Sequence, residues 1–118
     1  VTHRATLADE RLAKRRHYLM LLALLAKDAH GLAIAREVER LSEGRVRLWP
    51  ATLYGSLDQL RRWGFVEQLP EPPPGESERR RYFRITPAGR EATAAETRRL
   101  AELVRVARAR TKPREKPA

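Results

Sequence analysis

The chain has 118 residues, no cysteine and a formal net charge of +10, carried by 21 arginines and four lysines against 15 acidic residues. That length suits one domain with a single modest core, and the absence of thiols excludes disulfides and thiolate metal sites. A surface this basic points to an anionic polymer or an anionic membrane as partner, and arginine suits bidentate contacts with phosphate and guanine.

Residues 1–5 read as an untethered end. Thr6-Leu-Ala-Asp9 has the form of a capping box and predicts a first helix from about Leu7 to Lys27. Leu12, Leu19, Leu22, Ala23 and Ala26 make one stripe on it, and Tyr18, Leu21 and Leu25 a second face. A helix apolar on so many sides needs cover from more than one direction. Either a partner subunit covers Leu21 and Leu25, or the domain's own core wraps the helix. The run Tyr18–Ala26 follows Lys14, Arg15 and Arg16 as a signal peptide's apolar region would. It is too short to span a bilayer, which takes about 20 residues. Lys27 and Asp28 follow at once, and no small-x-small cleavage site appears. The expected protein is cytoplasmic, with no membrane partner.

Asp28-Ala-His30-Gly31 breaks the helix. His30 reads as a turn or capping residue, since only His3 and His17 accompany it, at no ligand-like spacing. A second helix, about Leu32 to Ser42, should bury Ile34, Ala35, Val38 and Leu41 and end at Gly44. Val46-Arg-Leu48 has room only for a short strand.

The third helix lies within WPATLYGSLDQLRRWG, with Pro50 at its first position and Gly64 just past its end. Leu53, Leu57 and Leu60, at i, i+4 and i+7, form its buried stripe. The opposite side carries Ala51, Gly55, Asp58 and Arg62, flanked by Thr52, Tyr54, Gln59 and Arg61. Small and hydrogen-bonding groups come first along that face, with arginines behind them. A helix whose first turns enter a DNA major groove needs that order. An ordinary amphipathic helix would show the same stripe. The candidate DNA contacts here are Thr52, Tyr54, Gly55, Ser56, Gln59 and Arg62.

After Gly64 the apolar period changes from helical to alternating. Phe65–Leu69 and Arg79–Thr86 read as strands joined by the loop PEPPPGESE, residues 70–78. The second strand alternates Arg80, Tyr82 and Arg84 with Arg81, Phe83 and Ile85, so one face is basic and aromatic. Arg79, Arg80, Arg81 and Tyr82, with Arg84, are placed to reach phosphates or the minor groove. Three helices followed by a basic hairpin outline a winged helix-turn-helix.

Thr86 can cap a last helix that has Pro87 at its first position and runs to about Arg110. Its stripe of Leu100, Leu103, Val104 and Ala107, with Ala88, Ala92 and Ala95 upstream, is most simply a dimerisation surface. Packing back on its own domain is the alternative. The expected fold is mainly α with a small β-hairpin. A winged helix-turn-helix domain spans 7–86, a dimerisation helix 87–110 and a basic disordered tail 111–118. No glycine-rich phosphate loop, zinc-ligand cluster or nucleophile–base signature is present, and the carboxylates are dispersed. The expected protein is therefore no enzyme and has neither cofactor nor metal.

HGLAI at 30–34, WPATLYGSLDQLRRWGFVE at 49–67 and RRRYFRITPAGREA at 79–92, with LMLLALLA before them, resemble the PadR family of bacterial transcriptional regulators over roughly residues 18–92. The resemblance implies a dimeric repressor of the short subgroup with one C-terminal helix. It places Thr52 and Tyr54 on DNA, Arg79–Tyr82 in the wing and Leu100–Ala107 in the dimer interface. It also implies small apolar effectors between subunits, against the first and last helices.

Three departures from the family pattern matter. Trp49 stands where serine is common and cannot cap, which leaves Thr52 to cap or to contact DNA. Gly55 replaces a usual proline at a cost of about 1 kcal/mol relative to alanine. It lies at the centre of the exposed face, where helix backbone can approach DNA closely. Leu32 replaces an aromatic, and Glu71, Glu76 and Glu78 make the wing tip acidic, leaving phosphate contact to the arginines at its base. Trp49 and Trp63 are expected to cover the two ends of the third helix. The leading expectation is a sequence-specific regulator that binds double-stranded DNA as a homodimer on a palindrome. The rivals are a winged helix docking an acidic protein and a basic peripheral membrane protein using its first helix.

Overall fold

A computed structural model describes residues 11–114. Its elements are α1 (Arg15–Ala26), β1 (Ala29–His30), α2 (Gly31–Leu41), α3 (Pro50–Arg62), β2 (Val66–Gln68), β3 (Tyr82–Ile85) and α4 (Pro87–Thr111). The first helix is not the continuous one expected from Leu7. The chain leaves helical geometry at Leu12–Lys14, and extended Lys14 precedes α1 without a side-chain cap. That break lets Leu12 turn into the core, where it is 2% exposed. The Thr6–Asp9 capping box lies outside the described residues.

The two apolar faces of α1 are both covered from within the chain. α2, α4 and β3 pack around it, and Met20, Leu21, Leu24 and His17 are fully enclosed. Leu21 therefore belongs to this chain's own core, which corrects the reading that places it in a dimer interface and bears out the alternative that the core wraps the helix. Leu25 remains at the edge, 36% exposed.

The segment read as a simple break supplies a third strand. Ala29 and His30 pair antiparallel with Phe83 and Tyr82, while Val66, Glu67 and Gln68 pair with Ile85, Arg84 and Phe83, giving the order β1-β3-β2. Val46–Leu48, expected as a strand, forms none. α2 ends through Glu43 and Gly44 in the left-handed region, with the Gly44 amide donating to the Glu39 carbonyl at 2.8 Å. Ile34 and Val38 are buried beneath it, but Leu41 lies at the rim beside Arg15 and Leu19 and stays 37% exposed.

α3 follows the sequence closely. Leu53, Leu57 and Leu60 are buried, Pro50 sits in the first turn and Gly64 follows with φ of 79°. At α4, Thr86 accepts from the Gly89 amide at 3.0 Å and donates to the Gly64 carbonyl at 2.5 Å, tying the helix start to the end of α3. Gly89 packs so closely that a Cβ there would collide with the Phe65 carbonyl oxygen. Thr93 and Glu96 continue the buried side of α4, and beyond them the helix runs out with exposed Leu103 and Val104. Among the described residues, no helix is long and apolar enough to cross a membrane.

Candidate nucleic-acid interface

The outward face of α3 is bare. Trp49 occupies the N-cap in extended conformation and makes no side-chain cap. Thr52 does not cap in its place. It is exposed, and its hydroxyl makes no hydrogen bond among the described residues. A Cβ at Gly55 would meet nothing within 4 Å, so packing does not require glycine there. Arg62, the last residue of α3, is exposed, and Arg61 leans 3.8 Å from Asp58.

Ser56 departs from expectation. It lies beside Leu60 at the edge of the leucine stripe, one turn from both Leu53 and Leu60, is 3% exposed, and accepts from Arg16 Nε at 3.1 Å. It fastens α3 to α1 and does not face outward. Gln59 is half-buried, on the side facing His17, whose two ring nitrogens make no hydrogen bond within 3.5 Å among the described residues. Burial, then Arg16 and Lys14, lower the His17 pKa from 6.5 to about 4, with Gln59 pulling the other way. The His17 ring packs edge-on against Trp63 at 5.1 Å, and Trp63 against Phe65 at 6.1 Å. Trp63 thus covers one end of α3 as expected. Trp49 does not cover the other, because it is 69% exposed.

Tyr54 connects three elements. The Arg81 guanidinium lies 5.1 Å from the centre of its ring, and its hydroxyl abuts Gly31, where an added Cβ would sit 2.8 Å from the oxygen. One residue away, Arg80 Nη1 lies 2.7 Å from His30 Nε2. On its other side His30 Nδ1 accepts from the Ala33 amide at 3.2 Å and caps α2. A neutral imidazole offers one acceptor nitrogen, so the Ala33 amide and Arg80 compete for it. Burial first, and then Arg80, hold the His30 pKa below its ordinary value, with the Glu76 carboxylate opposing. His30 and Gly31 open the HGLAI segment, and their part in this corner was not legible without the β1–β3 pairing.

The wing residues divide. Arg79 and Arg81 are exposed, and the Arg79 amide donates to Ser77 Oγ at 3.2 Å. Tyr82, expected on DNA, is 3% exposed. It packs edge-on against His30 at 5.5 Å and donates to Glu76 Oε2 at 3.2 Å. β3 is the central strand of a sheet and not one arm of a free hairpin, so its aromatic residues are covered. Arg84 is held across the β2–β3 pair by Glu67 at 2.7 Å. Its charge is already matched, and the pair is exposed enough to contribute little to stability.

The stripe on α4 faces a groove of about 520 Å³ between α1 and α4, lined by Leu12, Tyr18, Leu19, Leu100, Leu103 and Ala107 among others. Tyr18 Oη and Thr97 Oγ1, 2.7 Å apart, bridge the two helices. Glu96 is 3% exposed at the groove's inner end and binds Arg99 at 2.6 Å. Leu25 is not part of this groove. No cluster of His, Cys, Asp or Glu among the described residues has the arrangement of a metal site.

Residues 20–95 match the Transcriptional regulator PadR-like family. The fold is similar to a transcriptional regulator from Clostridium thermocellum, with a TM-score of 0.67 at 23% identity over 82% of this chain and 90% of that one. A PadR family transcription regulator from Clostridium difficile R20291 aligns with a TM-score of 0.66 at 19% identity over 77% and 92%. RosR from H. salinarum gives 0.57 at 23% identity over 84% and 96%. An uncharacterized 37.1 kDa protein in transposon TN4556 of Streptomyces fradiae is 39% identical over 85 residues, 72% of this chain. The chain spans 23% of that relative's length.

Proposed function

The chain belongs to the PadR-like family of transcriptional regulators, and from that premise we propose a repressor that binds a palindromic operator as a homodimer and is released by a small apolar effector. The observation that carries this reading is the uncovered outer side of α3. The free Thr52 hydroxyl, the bare backbone at Gly55 and Arg62 lie on one helix. Tyr54 under Arg81 joins that helix to the base of the wing. Hydrogen-bonding groups and cations with no protein cover are what base edges and phosphates require. Thr52, Tyr54, Gly55, Gln59 and Arg62 are the proposed reading residues, with Arg79, Arg80 and Arg81 on the backbone. Residues 7–86 act as the DNA-binding domain, 87–110 as the dimerising helix and 111–118 as a basic tail. Leu100, Leu103, Val104 and Ala107, with Leu25 at the margin, supply apolar surface for the second subunit. The α1–α4 groove is the place for an effector.

Selection from random-sequence duplexes tests the reading. The expected product is a pair of inverted half-sites about one helical turn apart. Recovery of no preferred duplex, or of an asymmetric single site, would overturn it.

A further inference from the structure

Trp49 is the most exposed large apolar residue described, at 69%. With Leu32, itself 45% exposed, and Leu48 it walls a shallow hollow of about 260 Å³ whose remaining sides carry Arg36, Glu39 and Arg47. Neither feature serves the fold. A hydroxyl or carboxylate at the N-cap would hold a free amide of the first turn, and the indole cannot. The ring is also left largely in water. Arg36 makes no ion pair among the described residues. Arg47 rests on Glu39 at 2.8 Å, in a pair open to solvent on both sides whose hold on the guanidinium is weak.

We propose that this hollow is a seat for the sugar–phosphate strand bordering the groove that α3 enters. The Trp49 indole packs on the apolar face of a deoxyribose, and Arg36 and Arg47 engage neighbouring phosphates. The placement favours strand over bases. Trp49 lies against the outer side of α2, beside the start of α3, and not on the face that carries Thr52 and Gly55. A flat apolar ring between cations matches a sugar between phosphates, and the hollow is continuous with the start of α3. The inference rests on the reading of α3 as the DNA-facing helix and adds a contact that sets affinity without reading sequence. Glu39 opposes it in the free protein, because Arg47 must leave that carboxylate to reach a phosphate.

Anisotropy of a labelled, selected duplex tests this, alongside Trp49 emission in a Trp63→Phe background. Trp49→Ala should weaken binding about tenfold, equally for the selected duplex and for an unrelated one, with the preferred sequence unchanged. Glu39→Gln should tighten binding and steepen its salt dependence by about one phosphate contact. Trp49 emission should change on DNA addition. This last measurement leaves the residue in place and is immune to misfolding of the alanine variant. If the parent protein binds DNA while Trp49 emission and the alanine variant's affinity stay unchanged, the seat is wrong and the DNA reading survives. Loss of sequence preference in Trp49→Ala would overturn the sugar–phosphate assignment in favour of base contact. A change in oligomeric mass without DNA would make the hollow a protein interface. Failure of the parent protein to bind any duplex would remove the DNA reading itself, and the seat with it.

Discussion

Gly55 is where folding and binding call for different residues. It sits in a helix interior with open space where a side chain would be, so alanine fits without strain and favours the helix by about 1 kcal/mol. Gly55→Ala should therefore raise the urea midpoint while weakening binding to the selected duplex. Unchanged affinity would mean that DNA does not approach the backbone there. His17 makes the opposite demand, on pH. Its folded pKa, about 4, lies below the ordinary 6.5 because the ring is buried, and Arg16 and Lys14 add to the effect. The unfolded chain takes up a proton near pH 6.5, and the folded one does so only near pH 4. Stability is thus complete above about pH 6.5 and falls as the pH drops towards 4. At 1.36 kcal/mol per unit, the loss reaches about 3 kcal/mol. Urea midpoints at about pH 7 and about pH 5 should diverge in the parent protein and converge in His17→Leu. Equal slopes in both proteins would show that the buried imidazole is not the cause.

At the scale of elements, the wing is fixed to the helix-turn-helix by Arg81 over Tyr54 and by Arg80 beside His30. An exposed cation–π contact is worth roughly 0.5–1 kcal/mol, enough to bias where the wing lies. Tyr54→Leu and Arg81→Ala should each weaken DNA binding, and the double variant should lose less than the two single losses combined. Strict additivity, measured by anisotropy, would mean that helix and wing act independently. The helices and the hairpin were legible in the sequence because their signals are local. Pro50 and Gly64 bracket α3, Thr86 and Pro87 open α4, and the leucine stripes have the helical period. What was not legible depended on partners distant in sequence. Two residues have no period, so β1 exists only because β3 offers Ala29 and His30 a free edge. That same pairing places Tyr82 against His30 and takes it out of reach of DNA. Leu21 and Ser56 were misplaced for a related reason. A pattern tells which side of a helix is apolar or polar, but the number of elements covering it is decided elsewhere in the chain. The exposure of Thr52, Gly55 and Arg62 was legible because they lie opposite the leucine stripe of α3, whereas the role of Gly31 beneath Tyr54 required the assembled corner.

For the whole molecule, the uncovered length of α4 sets the strongest demand. Leu103 and Val104 are 53% and 48% exposed on a helix whose first half is anchored by Gly89, Thr93 and Glu96. Replacing both with glutamate leaves that anchored half intact, so the subunit should keep its fold by circular dichroism and sediment as a monomer. Operator binding should fall at least tenfold while binding to an isolated half-site stays nearly constant, because only the operator gains from linked recognition helices. A double variant that remains dimeric would move the interface away from α4. Charge gives a second discriminator. In the proposed dimer each copy would bring a net +10, and salt screens that repulsion over about 10 Å at 0.1 M. Dimerisation of the free protein should therefore strengthen as salt is added. DNA binding should weaken over the same range, because salt reduces the gain from releasing counterions. Sedimentation and anisotropy measured across one salt series should move in opposite directions. If both weaken together, the subunits are held by ion pairs and not by the apolar stripe.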